Sequence, residues 1–375
     1  MKTPVEVFDE VLAANPDLGP RFHPIPDEIV EPFHDQRAVF KGRMDAIRKQ
    51  FLPNRSIDVY LDFIDNGECN AVACIHDFLG IIALNKGLIL LPQDLFWRMF
   101  SHPGFLPKVG DPKGERRGAQ HDDGIFDNYD HLVLHRRRAN RADHAHPPSS
   151  SARRRMAEVC MDLTWRFIAM HELVHIMHGH CDYLANSHAA PFILDAASHL
   201  AIPPLSQENL DLQAIEVSAD AVAAAVVLRG FLNLSPLVGV YAGLDDARQK
   251  LFLWSLTLFT LFRTWDFRID VASIAQASHP PPAIRFAILM TFVSYDAAVD
   301  SFGIGWDEYL AIVKSGQVAA EVGIGYCGGE ALRQIDLDLL RDPAIKAHRD
   351  ALFEHCDTVL FPEFEKRAYV ALRQT

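Results

Sequence analysis

The decapeptide HELVHIMHGH at residues 171–180 constrains this chain more than any other segment. It closes an apolar periodic run in which Met156, Val159, Leu163, Phe167 and Met170 share one helical stripe. The spacing predicts a long helix over 156–180 that enters the core and carries the decapeptide near its C-terminal end. On such a helix His171 and His175 lie about one turn apart on one face, so two imidazole nitrogens meet one metal ion. Zinc is the metal this pattern suggests. Glu172 stands beside the first histidine, where a general base toward a metal-activated water belongs.

A catalytic zinc site needs three protein ligands and one open position. The third is sought in EVSAD, Glu216 to Asp220, 41 residues after His175 and inside a second predicted helix over 208–228. Its surroundings, AIEVSADAVAAAVVL, are almost entirely small or apolar, and two carboxylates on one buried face are costly without a cation. Glu216 is the candidate ligand. Asp220, four residues on, is the candidate partner for the second nitrogen of a ligand histidine. His178 is a weaker competitor for the metal, and His180 reads as a helix-end or supporting group. His121, His131, His135, His144 and His146 fall in a polar stretch and read as solvated.

Composition sets the class. The 375 residues are 49% hydrophobic and 23% charged, an ordinary globular balance with enough length for a sizeable core. A net charge of -13 argues against bulk-charge affinity for nucleic acid or anionic membrane. The N-terminus, MKTPVEVFDEVLAANPDLGP, lacks the basic start and apolar run of a signal peptide, so a cytoplasmic location is expected. The most apolar stretch, LFLWSLTLFTLF at 251–262, has 12 residues against the roughly 20 that cross a bilayer. It reads as a core helix, and no transmembrane segment is expected. Six cysteines without CxxC spacing read as reduced structural thiols.

The expected fold is α+β and predominantly helical, with a small antiparallel sheet whose edge strand lines the cleft. Residues 1–54 form a helical arm, including a helix over 35–51. A strand over 56–64, a turn at Asn66-Gly67 and β-rich runs over 70–91 make the sheet. A helix starts within 93–100. The stretch 101–155 contains HRRRANRADHAHPPSSSARRR and reads as a long irregular insertion unable to supply a packed core. Asp245 or Asp246 starts the helix carrying the apolar run. The main domain spans 55–300, and 301–375 is a helical extension packed on it.

Four segments in order resemble the gluzincin metallopeptidases of the CAAX prenyl protease and heat-shock membrane protease family. They are NAVACIHDFLGIIALNKGL (70–88), like that family's NAxA edge strand; HELVHIMHGH; EVSAD, like its ExxAD; and SHPPPAIR (278–285), like its SHPP segment with a following arginine. The resemblance implies a zinc endopeptidase with one Zn2+ per chain held by His171, His175 and Glu216, oriented by Asp220, with Glu172 as general base. It implies that His279 and Arg285 face the carbonyl under attack, and that Asn70, Ala71, Val72 and Ala73 form an exposed edge strand pairing with an extended peptide or protein substrate. The chain departs from the membrane-bound members in lacking long apolar spans, so their prenyl substrates do not carry over. It also places 82 residues, Ile89 to Met170, between the GL turn and the first histidine. Two other readings stand beside this one: a narrowly specific host-defence or phage-exclusion peptidase with one target, and a catalytically silent zinc-stabilised binding or regulatory module.

Overall fold

The computed structural model describes residues 2–22, 42, 57–66, 70–76, 78–115, 147–187, 193–194, 207–233, 244, 246–265, 279–327, 342–370 and 372. The expected helix over 35–51 and the five loop histidines lie outside them.

Strands β1 (Asp58–Ile64), β2 (Ala71–His76), β3 (Leu79–Asn85) and β4 (Ile193–Leu194) form one sheet in the order β1-β3-β2-β4. The sheet is mixed, not antiparallel as expected: β1 runs parallel to β3, while β2 pairs antiparallel with β3 and with β4. The expected turn at Asn66 therefore does not close a hairpin. The hairpin is formed by β2 and β3, with His76 opposite Leu79; β3 takes one edge of β2 and β4 the other, and β1 pairs with the far edge of β3. Phe78, just before β3, takes a left-handed backbone (φ 66°).

Both faces of the sheet are covered, which explains the near-continuous apolar character of β2 and β3. Helix α1 (Pro4–Ala14), entered through a Thr3–Glu6 capping box, sets Val7, Phe8, Val11 and Leu12 against Val72, Cys74, Ile81 and Ala83. The alternate residues Ala71, Ala73, Ile82 and Leu84 face the main core.

That core is helical: α2 (Lys86–Ser101), α3 (Ser151–Met177), α4 (His180–Ser187), α5 (Gln207–Leu232), α6 (Ala247–Thr264), α7 (Pro282–Ile288), a π-helical turn (Leu289–Val293), α8 (Ser294–Phe302), α9 (Trp306–Tyr326), α10 (Pro343–His355), a second π-helical turn (Cys356–Leu360) and α11 (Phe361–Arg367). Helix α3 is the hub, packing on β2, α2, α5 and α6. It is buried through its last two turns, so the decapeptide enters the core as its pattern predicts. Asp246 caps α6 by accepting from the Arg248 amide, and the apolar run lies inside. Tyr309, Val313, Leu352 and Phe364 belong to the same apolar cluster as α3, so the described part of 301–375 shares the main core.

Part of the expected insertion is core structure. Arg153 is fully buried, and its guanidinium donates to the carbonyls of Phe100, His102, Phe105, Leu106 and Val109, with Glu115 3.7 Å away. Glu115 in turn accepts from the Ser149 and Ser150 amides, tying the two sides of 116–146 together at their base. An arginine with five donors satisfies a turn-rich segment that has too few backbone partners of its own, which the charge-rich composition disguises. One stretch among the described residues, Pro282–Phe302, has the length and apolar composition of a membrane span. It is 61% buried within the fold, as a core helix is.

Candidate metal centre

Three buried side chains from two helices converge. His171 and His175 come from the last two turns of α3, and Glu216 from the middle of α5, which packs along α3. The two Nε2 atoms are 2.9 Å apart, His171 Nε2 is 3.4 Å from Glu216 Oε2, and His175 Nε2 is 3.5 Å from Glu216 Oε1. Donors bound tetrahedrally at about 2.0–2.1 Å stand about 3.3 Å apart, so the triangle has the size a zinc ion takes. Among the described residues these three form the group able to hold a metal. His178 is buried but outside it, and burial pushes its imidazole down to about 4.

Each ring has a polar group close to its second nitrogen. His171 Nδ1 lies 3.0 Å from Asp220 Oδ1, and His175 Nδ1 lies 3.1 Å from His180 Nδ1. With protons on both Nδ1 atoms, the two Nε2 atoms present lone pairs to one another at 2.9 Å, a repulsion that a cation between them removes. Glu216 Oε2 is buried without a hydrogen bond and aims into the same space. The donor set fits zinc: two imidazoles and one carboxylate.

The electrostatics favour the metal-binding forms of His175 and Glu216. Burial lowers the His175 imidazole well below its usual range, reinforced by His171, His180, Arg285 and His279. Burial alone raises the Glu216 carboxyl, but His279, His171 and Arg285 together outweigh it and hold the group ionised. Asp220 behaves alike: burial raises it, and the charge and hydrogen bonds of Arg285 with those of His171 overcome this.

Arg285 has a different place from the one the motif implies. Its Nε and Nη2 donate to both Asp220 oxygens at 2.7 and 2.9 Å, Nη2 is 3.4 Å from Glu216, and the guanidinium lies over the rings of Phe262 and Trp265. A fork spent on a carboxylate behind the ligands serves that carboxylate, because the buried α5 acids need a counter-charge and α7 brings the nearest one. His279 stands at the front of the cluster, with Nε2 3.8 Å from Glu216 Oε1 and 12% of its side chain exposed. Ser278, which opens that motif, lies outside the described residues. Glu172 is fully buried, and its carboxylate is close enough to Cys181 to add to the burial and the Cys74 thiol that push the Cys181 thiol up.

The expected exposed substrate strand is overturned. Asn70, Ala71, Val72 and Ala73 are all buried, and the outer edge of β2 is paired by β4, with Val72 opposite Leu194 and Ala73 opposite Ile193. A strand added by the chain itself satisfies the edge that a peptide would otherwise take. His180 is the contact the sequence left least defined. Its signal was the helix-breaking Gly179, which turns the chain after α3 so that the next histidine faces back. No protein-family model, curated protein or solved structure matches this chain.

Proposed function

We propose that this protein is a zinc-dependent endopeptidase of the gluzincin type. The observation that carries the reading is the buried convergence of His171, His175 and Glu216, with Asp220 3.0 Å and His180 3.1 Å from the second nitrogens of the two rings. His171, His175 and Glu216 would hold a zinc ion, which would supply Lewis acidity toward a scissile carbonyl and a water. The remaining chemistry belongs to side chains. Glu172 takes a proton from the attacking water on its carboxylate and returns it to the leaving amine nitrogen. His279, at the front of the cluster, donates from its ring to the developing oxyanion. Asp220 orients His171, and Arg285 grips Asp220 and helps keep Glu216 charged.

One observation favours a second reading, a metal-stabilised module without hydrolysis: β4 occupies the edge of β2 where an extended substrate was expected to pair. The experiment that separates them uses zinc-loaded full chain on unfolded casein and a peptide library, with new termini read by mass spectrometry. Hydrolysis by the wild type, and its loss by at least 100-fold (an order-of-magnitude expectation for removing a general base) in Glu172→Gln with zinc content unchanged, is the expected result. No cleavage by the zinc-loaded wild type would leave the module reading.

A further inference from the structure

The two candidate ligand histidines are supported by unlike partners. A metal-ligating histidine usually donates its free N–H to a carboxylate, a carbonyl or water, and Asp220 fits that role for His171. For His175 the partner is another imidazole. His180 is fully buried, its Nδ1 is 3.1 Å from His175 Nδ1, and the two rings meet edge-on at 5.2 Å.

We propose that His180 is a positioning residue of the metal centre: it accepts the Nδ1 proton of His175 and so fixes the tautomer whose Nε2 lone pair faces the metal. The inference rests on reading His171, His175 and Glu216 as a metal site. A neutral imidazole bears one ring proton. If His175 offers Nε2 to a cation, that proton is on Nδ1, and His180 can receive it only with a bare Nδ1, its own proton then lying on Nε2. Among the described residues His180 Nε2 has no hydrogen-bond partner, so nothing there competes to pull the ring into the other tautomer.

The ring is held by the end of the chain. Phe364 of α11 packs on it at 4.4 Å between centroids. Gly179, at φ 77°, brings the turn so close to α11 that a Cβ there would stand 2.7 Å from the Arg367 Cβ and 2.9 Å from its carbonyl carbon. The Tyr369 amide then donates to the Met177 carbonyl at 2.8 Å, and its hydroxyl donates to Asp182 at 3.0 Å. The C-terminal segment is thereby part of the metal centre, through one aromatic contact and one turn.

The test is zinc affinity of the full-length protein, measured by competition with a chromophoric chelator, so it does not depend on any hydrolysis. His180→Phe keeps a ring against Phe364 but offers no acceptor; His180→Asn places an amide oxygen close to where Nδ1 stood. Zinc binding about 10–100-fold weaker in His180→Phe, and within about threefold of wild type in His180→Asn, is expected. Equal affinity in the two variants, at either level, would overturn the proposal while leaving the metal site standing. Failure of the wild type to bind zinc would overturn the metal-site reading and this proposal together.

Discussion

His171 and His175 are one turn apart on a single helix, yet the regions behind them work by different physics. Behind His171 lies a charged network: Asp220 is gripped at both oxygens by Arg285, which also reaches Glu216, and all four side chains are buried. Behind His175 lies a neutral imidazole braced by an aromatic ring near the C-terminus. The first arrangement holds by charge compensation in a poorly solvating core, where each member depends on the others. The second holds by shape and by the position of one proton. The first side should therefore be strongly coupled to folding, and the second should be tuned mainly through packing.

The largest effect expected from breaking this contrast is on the charged side. Arg285→Met leaves Asp220 and Glu216 buried without their counter-charge and should cost about 3–5 kcal/mol of metal-free stability in a denaturant titration. Zinc should recover part of it, because a cation neutralises the same acids. A loss under about 1 kcal/mol would show that the network is solvated and the contrast false.

On the neutral side Gly179→Ala should cost about 3 kcal/mol, from a left-handed backbone position combined with the collision against Arg367. It should also weaken zinc binding by shifting His180. Unchanged zinc affinity with reduced stability would separate the brace from the metal centre.

The smallest effect concerns a buried acid on the same helix that lacks such full compensation. Burial pushes Asp162 up from 3.8 to about 6, and the Arg166 guanidinium at 2.9 Å, partly exposed, offsets this only in part. Because the folded form binds its proton more tightly than the unfolded chain, this group's contribution to stability is full below about pH 4. It is lost as pH rises toward about 6. Asp162→Asn should remove that dependence and raise stability at pH 7 by roughly 2–3 kcal/mol, measured as the change in unfolding free energy between pH 4 and pH 7. A flat wild-type profile across that window would show Asp162 to be compensated as fully as Asp220.

These differences also explain what could be read before the structure. Helix α3, its partner α5 and the Asp246 cap were legible because periodicity and capping are local signals. So was the pairing of HExxH with EVSAD, since two acids in an alanine-rich helix need a cation from somewhere. The sheet was legible strand by strand but not in its order: β1 goes to the far edge of β3 because β3 and β4 take the two edges of β2. The placement of Arg285 was not legible, because its spacing from His279 carries no sign of which way the guanidinium points. Its destination is set by the uncompensated charge on α5. Arg153 was taken for part of a solvated run for the same reason, its carbonyl partners being 44 to 53 residues away. The β4 pairing was invisible, since two residues of strand in a long connection leave no periodicity.

The most direct test of the central claim is the metal content of the purified full chain after zinc loading and desalting, for wild type and for Glu216→Ala. One zinc ion per chain in the wild type, with clear loss in the variant, is the predicted result. A wild type that retains no zinc, or a Glu216→Ala protein that retains it fully, would contradict the site built from His171, His175 and Glu216.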